Sequence, residues 1–229
     1  MQFSHSPAIW QDFPELAVGV LLVRGVTKPV LDLPLARFQA IAAARLAAHT
    51  EGDFAEIQAW RRAFAKMGLK PTQYRCAAEA LLRRFRKEGA LPPLHPLVDL
   101  CNAVSLAFAI PIAVFDADKI AAPLEVRYAG GEEDYLTFSG ETEHPEPGEV
   151  IFADAAGRAH ARRWTTRQSG RSAVREETAA VLIVAEALHE TAPADISRLI
   201  AVLGEEISHL WPVSATSAVL SRAAPRFAP

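Results

Sequence analysis

Cysteine is scarce in this chain: Cys76 and Cys101 are the only two among 229 residues, and both lie in helix-patterned stretches. A disulfide framework or a zinc site built on paired cysteines is therefore not expected, and a reducing cytosolic setting fits best. No apolar run reaches the ~18 to 20 residues of a membrane span, and no basic segment at the N-terminus leads into an apolar one, so the expectation is a soluble, cytoplasmic protein that is not exported. Neither sign of charge is in excess, with 24 Lys and Arg against 27 Asp and Glu and a net charge of −3. Without a global basic field, any nucleic-acid contact has to come from a local patch. The sequence also lacks a Gly-x-Ser-x-Gly elbow, a phosphate loop, a dinucleotide glycine fingerprint and any HxxxH, HExxH or His-Cys spacing. These gaps remove the common hydrolase, kinase, dehydrogenase and metal-centre readings, and neither a cofactor nor a metal is expected.

Apolar residues make up 50% of the chain, ample for a continuous core, and one domain over residues 1–229 is expected, with 212–229 a loose tail. LAVGVLLVRGV (16–26) is rich in branched residues and suits a buried strand. Helices are expected after Pro34, over Phe54 to Met67 with Gly68 as stop, over Tyr74 to Lys87 with Gly89 as stop, and from Pro96 to Pro111. From Ile112 the character changes: IAVFD, LEVRYA, DYLTF, EVIFAD, RAHARRW and AAVLIVAEA read as short strands between Gly, Pro and acidic turns. Asp195 to Leu210 reads as a closing helix with Asp195 as cap. Helices gathered toward the first half and strands toward the second argue for an α+β fold.

Four segments in a fixed order carry a family resemblance: WRRAFAKMGLKPTQYRCAAEALLRR (60–84), HPLVDLCNAVSLAFAIPIAVFDADKI (95–120), PGEVIFAD (147–154) and RRWTTRQSGRSAVREET (162–178). Over about residues 55 to 188 the chain resembles the B3/B4 domain, the editing domain within the β subunit of bacterial phenylalanyl-tRNA synthetase. The resemblance implies helices packed on a β-sandwich-like mixed sheet and a pocket for a misattached amino acid. Nothing resembles the synthetase's aminoacylation modules, so no aminoacylation is expected from this chain alone. Where the family has a threonine before the asparagine of VDxTN this chain has Cys101, and Ala113 stands for the histidine of PxHAFD. The glutamate of GGExSG, which in the family discriminates the tyrosine hydroxyl, falls near Gly170 and is missing. Asn102 and Asp116 match the pattern.

Chemistry therefore has to come from Arg162 to Ser169. Arginine forks suit phosphate or carboxylate, and Trp164 suits a stacked ring, although a solvated strand with a core tryptophan is the bland alternative. The expected substrate-binding set is Asn102, Ser105, Asp116, Arg163, Trp164, Arg167, Gln168 and Ser169, with Arg167, Gln168 and His95 as catalytic candidates. Asp116 and His95 also suit purely structural roles, and Cys101 suits a buried filler. Arg75, Arg83 and Arg86 fall close to one helix face and are candidates for the tRNA backbone, or else for an ordinary solvated surface. The leading expectation is deacylation of mischarged tRNA in trans, with tRNA or aminoacyl-tRNA as partner and neither DNA nor membrane. The alternative is a non-catalytic module holding an amino acid or related small ligand, and a weaker third is a docking domain using the basic helix.

Overall fold

In the computed structural model, which describes residues 1–26, 30 and 32–229, the fold is α+β. The chain begins with strand β1 (Phe3–His5) and helix α1 (Pro7–Asp12), whose N-cap Ser6 accepts a hydrogen bond from the Ile9 amide. Strand β2 (Ala17–Arg24) follows, buried up to Arg24. Helices α2 (Leu35–Ala48), α3 (Ala55–Lys66), α4 (Ala77–Glu88) and α5 (Pro96–Phe108) come next. The strand-rich part holds β3 (Ile112–Asp116), β4 (Leu124–Tyr128), β5 (Tyr135–Leu136), β6 (Thr142–Glu143), β7 (Val150–Asp154), β8 (Ala159–Arg162), β9 (Arg167–Gln168) and β10 (Ala180–Ala187). Helix α6 (Ala192–Leu210) and strands β11 (Ser214–Leu220) and β12 (Arg226–Phe227) complete it.

The strands form a sheet ordered β12-β1-β4-β7-β8-β9, a second ordered β11-β2-β10-β3, and a separate β5-β6 hairpin. In the first sheet β1 and β4 are parallel and the other pairs antiparallel, while the second is antiparallel throughout. Side chains alternate faces along a strand, so the second sheet divides two cores. Val18, Val20, Leu22, Leu182 and Val184 share one core with Leu124, Val126 and Phe152 of the first sheet and with Trp10, Trp60, Phe64 and Trp164. Leu21, Val23, Val181 and Ile183 face Leu100, Val104, Leu199, Ile200 and Leu203 of the helices. Helix α6 settles on β2 because Gly19 has no side chain: a Cβ there would stand 2.3 Å from Ile200.

Several sequence expectations need correction. Residues 214–227 are not a loose tail: β11 pairs with β2 from Ser214↔Arg24 to Leu220↔Val18, and β12 pairs with β1. SATSAVL carries too weak an apolar pattern to announce a strand, and its order comes from the partner. Asp195 does not cap α6, which starts three residues earlier with Pro193 in its first turn; Asp195 instead accepts hydrogen bonds from Thr191 and Arg198. Helix α4 begins at Ala77 with Cys76 as N-cap, leaving Tyr74 and Arg75 outside it.

Candidate functional site

The site is organised by the β8-β9 turn and by the free edge of β3. Arg163 and Trp164 both take left-handed backbone conformations, with φ of 47° and 58°, which side chains with a Cβ rarely adopt. Two contacts hold Trp164 there: its amide donates to the Val150 carbonyl at 2.7 Å, and its indole Nε1–H donates to Glu186 Oε1 at 2.8 Å. The ring is fully buried, edge-on to Trp60 at 5.0 Å and to Phe13 at 4.8 Å. The expected strand RAHARRW therefore stops at Arg162, and Trp164 forms a wall rather than an open stacking face.

The arginines beside it are already engaged. Arg162 makes a two-pronged pair with Glu149 at 2.9 and 2.8 Å and reaches Glu143 at 2.7 Å. Arg167 grips Glu143 at 2.9 and 3.1 Å and lies over the Tyr135 ring. The hydrogen bond from Arg167 holds the Glu143 carboxyl below its ordinary pKa. Burial opposes ionisation of Glu149, yet hydrogen bonds from Arg162 and the Arg163 amide pull its pKa below the usual range. Arg163 turns away, over Tyr74.

β3 is the edge of its sheet. The Glu186 amide bonds to the Pro111 carbonyl and Ile112 stands opposite Ala185, a phase that turns the N–H and C=O groups of Ile112 and Val114 away from β10. Gln168 Nε2 donates to the outward Val114 carbonyl at 2.7 Å, and three clefts meet at Gln168. An inner cleft of about 130 Å³ has walls from Ala113, Phe115, Phe152, Trp164, Thr165 and Val184, with Glu186 also lining it. An outer cleft of about 340 Å³ is lined by His95, Val98, Asn102, Ile112, Val114 and Gln168, with Leu94 and Phe138 also on its wall. The third, of about 440 Å³, lies along the β5-β6 hairpin beside Glu143 and Arg167.

Of the expected binding set, Asn102, Trp164, Arg167 and Gln168 line these clefts. The others do not. Ser105 is buried and donates to the Ile110 carbonyl. Asp116 is buried, accepting from the Asp118 amide and the Thr178 hydroxyl, which makes it a corner brace. Ser169 is buried on the Leu136 carbonyl, and Gly170 packs so closely on the hairpin that a Cβ would meet the Thr137 carbonyl at 2.8 Å. Cys101 is sealed in the helical core, with its thiol pushed up to about 12 by burial. His95 caps α5 by accepting the Leu97 amide on Nδ1, and burial lowers its pKa against the pull of Asp99. Arg83 and Arg86 both face Glu51, and Arg75 faces Glu79, so the acids offset part of the charge these three would offer to tRNA phosphates.

A Ser172–His160–Asp154 chain, with distances of 2.8 and 3.1 Å, resembles an acyl-transfer triad in residue type. All three residues are buried and none lines the three clefts, so the chain braces β7, β8 and the turn at Gly170–Ser172. Sequence reasoning missed Glu186 and Phe138, and placed Thr165 only within the Arg162 to Ser169 block, outside the binding set. A lone acid within AAVLIVAEA was a usable signal for the first; nothing local distinguished Phe138, which is 72% exposed at the outer cleft.

A family model described as the B3/4 domain matches residues 59–223. Among curated proteins, the phenylalanine–tRNA ligase beta subunit of Cereibacter sphaeroides is 36% identical over 76 residues, 33% of this chain and 9% of that protein. The same subunit from Bartonella henselae is 26% identical over 141 residues, 59% of this chain and 17% of that protein. The chain thus spans less than a fifth of the length of these relatives. A crystal structure of an N-terminal fragment of the phenylalanyl-tRNA synthetase beta subunit from Pyrococcus horikoshii aligns with a TM-score of 0.42 at 14% identity, covering 52% of this chain and 41% of that one.

Proposed function

The chain belongs to the B3/4 domain family, and from that premise we propose that it binds the aminoacyl end of a tRNA at the outer cleft and hydrolyses a mischarged ester in trans. The observation that carries this reading is the convergence of His95, Asn102 and Gln168 on one cleft whose rim offers the exposed Phe138 ring. An exposed aromatic ring is a platform for the terminal base, and the apolar wall of Val98, Ile112 and Val114 suits an amino-acid side chain. Because His95 Nδ1 already accepts the Leu97 amide, the neutral ring carries its proton on Nε2 and acts as a donor toward an ester carbonyl. Aminoacyl esters are intrinsically labile, so a fixed carbonyl, water and the neighbouring ribose hydroxyl supply the rest by proximity.

The test is deacylation of a panel of mischarged tRNAs. Acceleration over buffer is expected for at least one, falling about 10²-fold or more in His95→Ala, the scale of losing one placed donor. No acceleration across the panel overturns the enzymatic reading. The second reading, a non-catalytic amino-acid-binding module, draws support from the pairing of Arg162 and Arg167 with glutamates. It expects a saturable rise in unfolding temperature with ligand and no turnover.

A further inference from the structure

Glu186 is 2% exposed, the one acid in an otherwise apolar strand, and it lines the inner cleft. Its Oε1 is saturated by two donors, His5 Nε2 at 2.6 Å and Trp164 Nε1 at 2.8 Å. Its Oε2 meets no donor among the described residues. His5 Nδ1 is buried without a partner, so the ring's single proton sits on Nε2 and is used in donating to Glu186. No Lys or Arg among the described residues forms an ion pair with Glu186, and the nearby Arg167 is turned to Glu143. A second group is unsatisfied in the same cleft: the Thr165 hydroxyl is buried with no hydrogen-bond partner. Buried polar atoms are rarely left unpaired, and the orphaned Thr165 hydroxyl beside a Glu186 oxygen that no donor meets, on one apolar-walled cleft, marks the place of a polar ligand atom.

We infer that the inner cleft is a binding site for a small primary ammonium carrying an apolar group, with Glu186 Oε2 as its acceptor and the Thr165 hydroxyl as a second contact. The negative oxygen selects a cationic donor, and the walls of Ala113, Phe115, Phe152 and Val184 select an apolar body. Size follows from the volume: about 130 Å³ is slightly below the ~150 Å³ cavity that accepts benzene, so a ligand of roughly six heavy atoms fits. This binding does not depend on ester hydrolysis at the outer cleft, and it stands or falls separately from it.

The test is an NMR titration of the full chain, following the Trp164 indole N–H that shares the Glu186 carboxylate. The probes are 3-methylbutylamine and its uncharged counterpart 3-methylbutanol. A saturable shift of that resonance is expected with the amine, with affinity about 10-fold or more above the alcohol, the scale of one charge-assisted hydrogen bond. Glu186→Gln should abolish the preference. Should that variant fail to fold, Ala113→Leu, which fills the cleft without touching the Glu186 hydrogen bonds, should abolish amine binding. Equal affinity for amine and alcohol, no saturable shift, or an amine preference that survives either substitution overturns the site. L-Alanine against isopropylamine, which differ by a carboxylate in place of a methyl and both stay within about six heavy atoms, identifies the source of the amine: tighter binding of alanine points to the α-amino group of an amino acid, tighter binding of isopropylamine to a free alkylamine.

Discussion

Trp164 holds a left-handed conformation that costs an ordinary residue about 1–2 kcal/mol, and the surrounding structure offsets this by burying the whole indole and satisfying its N–H on Glu186. The same residue type in the same motif was a plausible open stacking platform in the sequence; burial and partner decide otherwise. His160 shows a related contrast. Burial lowers its pKa below the ordinary value of about 6.5, and Asp154 offsets only part of that. The unfolded chain therefore binds more protons than the folded one near pH 6, so stability is fully present above about pH 7 and falls as pH drops through 6.5. The depressed carboxyls act lower: Glu133, at about 2, loses its contribution only as pH falls below the ordinary glutamate range. Urea unfolding at pH 7.5 and pH 5.5 should show a clear loss for the native chain and a much smaller one for His160→Gln; an unchanged loss removes His160 as its source.

At the scale of elements, punctuation carried most of what was legible. Gly89 ends α4 with φ 76° and Pro96 opens α5, so punctuation placed one end of each helix, while the other ends, the start of α4 at Ala77 and the end of α5 at Phe108, each fall about three residues inside the expected bounds. The three-residue β1 and six-residue α1 escaped because such short elements draw their stability from contacts distant in sequence. The hairpin carrying Phe138 is seated by a close approach: a Cβ on Gly170 would come within 2.8 Å of the Thr137 carbonyl and 3.3 Å of Phe138 Cα. Gly170→Ala should therefore push the hairpin outward and cost about 1–3 kcal/mol, the usual range for overpacking. Denaturant unfolding measures this, and a variant as stable as the native chain shows that the approach is not needed.

For the whole molecule, the C-terminal strands close both sheets. Removing residues 212–229 strips β11 from β2 and β12 from β1, uncovering two strand edges and the buried Leu220 and Phe227 contacts. The truncated chain should aggregate or lose its cooperative unfolding transition, as read by size-exclusion chromatography and circular-dichroism melting; a monomer melting at the native temperature contradicts this. Local pattern alone specified the main helices and the α+β class, because apolar period and turn residues act between near neighbours, while the family was legible through the resemblance of four ordered segments. Only the tertiary structure decided which polar groups are spent and which remain open. Arg167 finds Glu143 across 24 residues, and Glu186 meets Trp164 across 22 and His5 across 181. Such partners are set by strand pairing and sheet stacking, to which residue type and spacing are blind, and that is why the arginines singled out in the sequence proved engaged while a strand glutamate was left with a free oxygen.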